Sequence, residues 1–214
     1  MNPTIPSTVS RVRASKGTVR PIWLFKSHPL EVLVASFHTV SGNVDAGIRL
    51  VEEMGRHHHG PTTHRLHLGL SYVQAGRRDD ARRIAEVPLE APTESEQFDH
   101  ALLSALVGRP DAARKVAQDV ERGAVRSYTS AAHLAMLYSA IGERERALDL
   151  LEQDCREGDA TLWLYYRHVC FDPVRDDPRF RALLEALRLP TSPRAPGRNA
   201  PAADRDRPPA RSSR

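Results

Sequence analysis

Long apolar runs are missing from this chain of 214 residues: nowhere do 18 apolar residues follow one another, so no membrane-spanning helix is expected. The N-terminus MNPTIPSTVSRVRASKGTVRPIWLF carries basic residues but lacks the apolar stretch and small-residue cleavage site of a secretory signal, and a cytoplasmic protein is the expectation. Cysteine is scarce. Cys155 and Cys170 are too few for a disulfide framework or for a structural zinc site, which takes about four ligands, and they read as buried free thiols. Lysine is scarcer than its charge partner: 3 Lys stand against 28 Arg, which with the heavy use of alanine is the composition of a high-GC bacterial genome. No GxSxG, GxGxxG or GxxxxGKS/T occurs, and no nucleophile, base and orienting acid stand in a recognisable arrangement. A non-catalytic protein without a cofactor is therefore expected.

What is present begins with charge, and it is unevenly placed. Residues 1 to 20 hold Arg11, Arg13, Lys16 and Arg20 with no acid; residues 191 to 214 hold six Arg against Asp204 and Asp206. Each end thus carries +4, and since the whole chain carries +4, residues 21 to 190 carry −4. The tail TSPRAPGRNAPAADRDRPPARSSR has no large apolar residue with which to offset chain entropy, and both ends are expected to be disordered around one folded domain, residues 21 to 190. The ends lack aromatics interleaved with their arginines, so weak, sequence-independent contact with polyanions is the most they imply and no specific nucleic acid is expected as partner.

Within the middle, small residues keep a fixed spacing. HLGLSYVQAGRRDDARRIAEV holds Gly69, Tyr72, Gly76 and Ala81; YTSAAHLAMLYSAIGERERALDLLEQ holds Ala135, Tyr138, Gly142 and Ala147 at the same offsets. A degraded copy between them keeps Ala101, Ser104, Gly108 and Ala113, and upstream Val34, Phe37 and Ala46 fit if the turn glycine, Gly42, falls one place late. The small-residue marks at 34, 69, 101 and 135 lie 35, 32 and 34 apart. The glycines at 76, 108 and 142 suit a helix end in the left-handed conformation, and the small residues suit helix crossings. Thr93-x-x-Glu96 reads as a capping box, Pro110 stands where a helix begins, and Asp177-Pro178 reads as an N-cap with proline in the first turn, ahead of an apolar stripe at Phe180, Leu183, Leu184 and Leu187.

The period near 34 with these marks resembles the tetratricopeptide repeat over roughly residues 27 to 155, and FDPVRDDPRFRALL resembles the closing segment of bacterial tetratricopeptide regions attached to nucleotide cyclases, serine/threonine kinases and transcriptional activators. The resemblance implies an all-α fold, an α-α superhelix: a right-handed helix-turn-helix solenoid of about four units with a C-terminal capping helix. It implies a scaffold or adaptor that binds another protein through a helical or extended apolar segment, or a second copy of itself. A regulatory fragment of a bacterial signalling or transcription-regulator system lacking its effector domain is the alternative. In relatives that hold the acidic C-terminus of heat-shock chaperones, Lys, Asn and Arg line the inner helices. Here those places are Glu31 and Ala35, Leu66 and Leu70, Phe98 and Leu102, and Ala132 and Met136, so that clamp is missing.

The inner helices of such a fold present Leu66, Leu70, Val73, Phe98, Leu102, Leu106 and Met136. This apolar stripe is either a partner-binding groove or helix–helix packing, and the two readings differ in the burial they require. The run GRHHHGPTTHRLH gathers His57, His58, His59, His64 and His67, but adjacent histidines in a loop seldom converge on one ion and no HExxH or Cys/His pairing accompanies them. No physiological metal site is expected there.

Overall fold

In the computed structural model the described residues are 34–36, 38–39, 41–57, 62–124, 130–158 and 162–191. The two basic ends, from residue 1 and up to residue 214, lie outside them apart from Thr191, as do Phe37, His58 and His59. Among the described residues there is no strand, and every regular element is a helix. Residues 34–36 and 38–39 are helical, followed by α1 (Val44–His57), α2 (Thr62–Gln74), α3 (Arg78–Ala85), α4 (Glu94–Leu106), α5 (Asp111–Glu121), α6 (Ala131–Ala140), α7 (Arg144–Glu157), the single turn α8 (Leu162–Tyr165), a 3-10 segment (Val169–Val174) and α9 (Pro178–Ala186).

The tight joints come from one local device. Where α2, α4 and α6 end, Gly76, Gly108 and Gly142 take φ of 79°, 94° and 87°, a region closed to most L-residues. Each is the centre of a Schellman closure: the Gly76 N–H donates to the Val73 carbonyl at 2.9 Å and the Arg77 N–H to the Tyr72 carbonyl at 2.8 Å, with the same pair of bonds at residues 108–109 and 142–143. The chain therefore reverses within three or four residues and lays α3, α5 and α7 back along α2, α4 and α6. Starts are equally local. Thr93 accepts from the Glu96 N–H at 3.2 Å while the Glu96 carboxylate accepts from the Thr93 N–H at 3.0 Å, a complete capping box. Asp177 caps α9 through the Arg179 N–H at 2.9 Å, with Pro178 in the first turn.

The helices form two layers. In the inner layer α2 packs on α4 and α4 on α6; each also packs on the outer helix that follows it, and α1 lies against α2. Small residues mark the crossings. Ala81, Ala113, Ala135 and Ala147 are fully buried and Ala101 nearly so. Gly69 is tighter still: a Cβ there would stand 2.6 Å from a Leu103 methyl of α4 and 3.1 Å from a methyl of Ile84 on α3.

The first hairpin requires a correction of register. Val34, expected at a crossing, is 43% exposed, and Ala46 is only half-buried. Ala35 is fully buried instead, Gly42 has φ of 96°, and a Cβ on the buried Gly47 would meet the Thr39 hydroxyl and the Ala35 carbonyl. Ala35, Gly42 and Gly47 keep the offsets of Gly69, Gly76 and Ala81, so the glycine is in place and the aromatic is what misled. Only the turn residue must adopt positive φ, so it fixes the register and the aromatic does not.

The tyrosines at the shared offset bridge successive hairpins. Tyr72 donates its hydroxyl to Glu52 of α1 at 3.1 Å with the Arg77 guanidinium 4.1 Å above its ring. Tyr138 does the same to Glu121 of α5, which Arg146 also binds at 2.9 Å. Burial, reinforced by that glutamate, pushes the Tyr138 hydroxyl up to about 12. At the far end α9 is fastened to α7 by one side chain. Arg179 donates to Glu152 at 2.7 Å, Asp149 at 2.6 Å and Glu145 at 3.1 Å, three carboxylates on one stripe of α7.

Candidate functional site

The apolar stripe expected on the inner helices is in place, and it is covered. Leu66, Leu70, Val73, Phe98, Leu102 and Met136 are 0–8% exposed, and Leu106 is partly buried against the same cluster. Burial at this level is what helix packing requires of them. The same continuous cluster contains Leu162, Cys170, Phe171 and Val174, all fully buried. The chain beyond α7 thus returns over its own inner layer, and residues 162–175 form a strap.

The strap is one α-turn and one 3-10 turn joined by three residues, so backbone groups at the turn ends need partners from elsewhere. Side chains of the inner layer supply them. Gln74, the last residue of α2 and 1% exposed, donates through Nε2 to the Arg167 carbonyl at 3.2 Å and accepts the Val169 N–H on Oε1 at 2.9 Å, using both ends of one amide. Ser139, fully buried on α6, donates to the Cys170 carbonyl at 2.7 Å. Asp154 of α7, also fully buried, accepts the Leu162 N–H that starts α8 at 3.4 Å and the Ala132 N–H of α6 at 3.3 Å. Within the strap Arg175 closes the loop on itself, donating to the Tyr166 and His168 carbonyls at 3.1 Å each. A row of ring contacts also joins strap to layer: Phe98 meets His133 edge-on at 5.7 Å and His133 meets Tyr165 at 5.9 Å.

A polar line runs across the inner elements beneath this. Ser36 Oγ lies 3.4 Å from His67 Nδ1, and His67 Nε2 lies 3.5 Å from Asp99. Farther along, Thr63 donates to Glu96 at 3.0 Å and the Thr39 and Ser71 hydroxyls meet at 3.3 Å. Serine, imidazole and carboxylate stand in the order used for nucleophilic catalysis, but at the outer limit of hydrogen-bond length. Each of these contacts joins one inner element to the next, which is the work of a cross-helix tie.

Thiol and phenol chemistry is suppressed by environment. Burial pushes the Cys170 thiol well above its ordinary value and, helped by Asp154 and Glu152, pushes Cys155 up to about 11, so both are protonated at neutral pH and neither is an activated nucleophile. Burial likewise raises Tyr165, with the Asp99 charge adding to it. Glu96 goes the other way: burial would raise it, but hydrogen bonds from Thr93 and Thr63 outweigh that and hold it below the usual carboxylate range.

Of the histidine run, His64 is buried and His67 faces Asp99; among the described residues no group of three or more His, Cys, Asp or Glu side chains is placed to hold a metal ion. Among the same residues no helix is long and apolar enough to cross a membrane. The sequence reading missed Gln74, Ser139 and Arg175. A weak signal was present, since Gln74 and Ser139 are polar residues at the C-terminal ends of helices whose buried faces are mostly apolar. No protein-family model matches the chain, and no curated protein and no solved structure matches it either.

Proposed function

We propose that the chain is a non-catalytic protein-interaction module, a cytoplasmic scaffold or adaptor whose hairpins form a right-handed superhelix of about four tetratricopeptide-like units closed by α9. Its partner is another protein, recognised through an apolar segment laid along the inner layer. The observation that carries this reading is the manner in which Gln74 and Ser139 hold the backbone of residues 167–170 above an apolar floor. Side chains that satisfy the main chain of a segment over apolar pockets are the common chemistry of peptide-binding surfaces. The thiols held protonated and the long Ser36–His67–Asp99 contacts support a non-catalytic role.

The resemblance of FDPVRDDPRFRALL to segments that close bacterial signalling proteins supports a second reading, a regulatory fragment whose effector domain is a separate chain. Affinity capture from the native host, with the wild-type chain as bait, tests both. A partner lost when Leu102 is replaced by serine in a folded variant supports the module. A kinase, cyclase or DNA-binding regulator as the captured chain favours the second reading, and a bait that retains nothing above a control surface refutes both.

A further inference from the structure

We propose that the strap is an internal occupant of a receptor face, and that the face takes from a partner a segment of the strap's own chemistry, one that is not a continuous α-helix. The inference rests on the interaction-module reading and narrows it, since that reading admits a helical segment as readily as an extended one.

The exclusion of a continuous α-helix follows from the hydrogen bonds. Inside an α-helix a carbonyl and an N–H two residues on are already committed to the helix's own ladder. Gln74 binds such a pair, the Arg167 carbonyl and the Val169 N–H, and Ser139 binds the Cys170 carbonyl. Both side chains are buried, so an incoming helix would leave them without those partners at a cost in free energy. A segment with open backbone groups at three positions satisfies them. The side chains that such a segment must carry are those the strap buries in the core cluster. An aromatic at the Phe171 place, whose ring lies 5.7 Å from that of Phe180 on α9, and a β-branched residue at the Val174 place are fully buried; Pro173 between them lies inside the 3-10 turn and, lacking an N–H, leaves the Cys170 carbonyl open for Ser139. An arginine at the Arg175 place closes the segment on its own carbonyls.

Exchange of strap for partner is close to balanced, because the incoming residues bury what the strap exposes. What favours the strap is tethering: joined to α7 on one side and to α9 on the other, it has an effective concentration on the order of millimolar at its seat. A free segment at micromolar concentration therefore competes poorly until the strap is weakened. Arg175 is the place to weaken it, since its bonds are made within the strap and to none of the face's own groups.

The test uses the full chain and a fluorescein-labelled peptide of residues 165–176, YYRHVCFDPVRD, kept reduced and read by fluorescence anisotropy, with a scrambled peptide as control. Arg175→Ala should bind the peptide at least about tenfold more tightly than wild type, as lower strap occupancy requires, with Arg175→Lys in between. Adding Gln74→Ala to Arg175→Ala should remove the gain while helical circular dichroism is kept. Hydrogen exchange measured on the same variants should show faster exchange at Val169 and Cys170 with α2 and α6 still protected. Exchange of strap and α6 together in both Arg175 variants would show the strap to be inseparable core and overturn the proposal. So would an open strap that takes up no peptide, or conversion to a dimer by light scattering without peptide uptake, which would make a second copy the occupant. The host-capture result separates the two levels. A partner held equally by wild type and by Gln74→Ala leaves the interaction module standing and removes this face, whereas no partner at all removes the module reading whatever the peptide does.

Discussion

Replacing Gly69 by alanine sets two effects of known size against each other. In an open helix position the change stabilises: alanine is about 1 kcal/mol better than glycine in a helix interior, and a newly buried methyl adds up to about 0.8 kcal/mol. At residue 69 there is no open position. The new Cβ would stand 2.6 Å from Leu103 Cδ2 and 3.1 Å from Ile84 Cγ2, so two different helices must both give way. Leu103 is fully buried and has nowhere free to turn. Overpacking of this kind costs about 1 to 3 kcal/mol, and with contacts on two sides the upper end applies. The balance is a loss of about 1 to 2 kcal/mol, some 2 to 4 °C in Tm for each kcal/mol in a chain of this size. Urea or thermal melts followed by circular dichroism measure it, and a double-mutant cycle with Leu103→Ala isolates the contact: Gly69→Ala should cost less, or gain, once the Leu103 methyls are gone. A Gly69→Ala variant that is more stable than wild type by the full helix-propensity gain would refute the close approach of α2 to α3 and α4.

Three further outcomes are expected. Leu70→Ser and Met136→Ser, at 8% and 4% exposure, should each cost about 2 to 5 kcal/mol and lower the melting temperature sharply; variants with unchanged melting would put these side chains on a free groove. Because the Glu96 carboxyl is held below its ordinary 4.5, its contribution is complete above that value and is lost as pH falls through the lower, folded value, so Glu96→Gln should flatten stability against pH in the acid range, a slope that stays the same in the variant being the contrary result. Deleting residues 1–20 and 191–214 should leave the melting temperature nearly unchanged and abolish salt-sensitive retention on heparin, since each of these ends carries a charge of +4; a truncated chain still retained would move the basic surface into the helical part.

The sequence by itself determined what local physics decides. Glycines with positive φ end α2, α4 and α6, Thr93 and Glu96 start α4, Asp177 and Pro178 start α9, and each of these depends on backbone sterics or on bonds spanning a few residues. The small residues at 69, 81, 101, 113, 135 and 147 were legible for the same reason, because a fixed spacing along the chain becomes a fixed place on a helix. The first hairpin was read one residue out by weighting Phe37 above Gly42, a conflict that only backbone conformation resolves. The strap was decided by tertiary structure. Gln74 and Val169 stand 95 residues apart, and nothing in the local sequence of either says that one amide will satisfy the backbone of the other. Periodicity could mark Leu70, Phe98, Leu102 and Met136 as one apolar stripe, but an apolar stripe has the same pattern whether solvent, a partner or the chain's own return covers it. What covers it depends on where residues 162–175 go after Gly158 ends α7, and that is fixed by bonds reaching from Gln74, Ser139 and Asp154 across the fold.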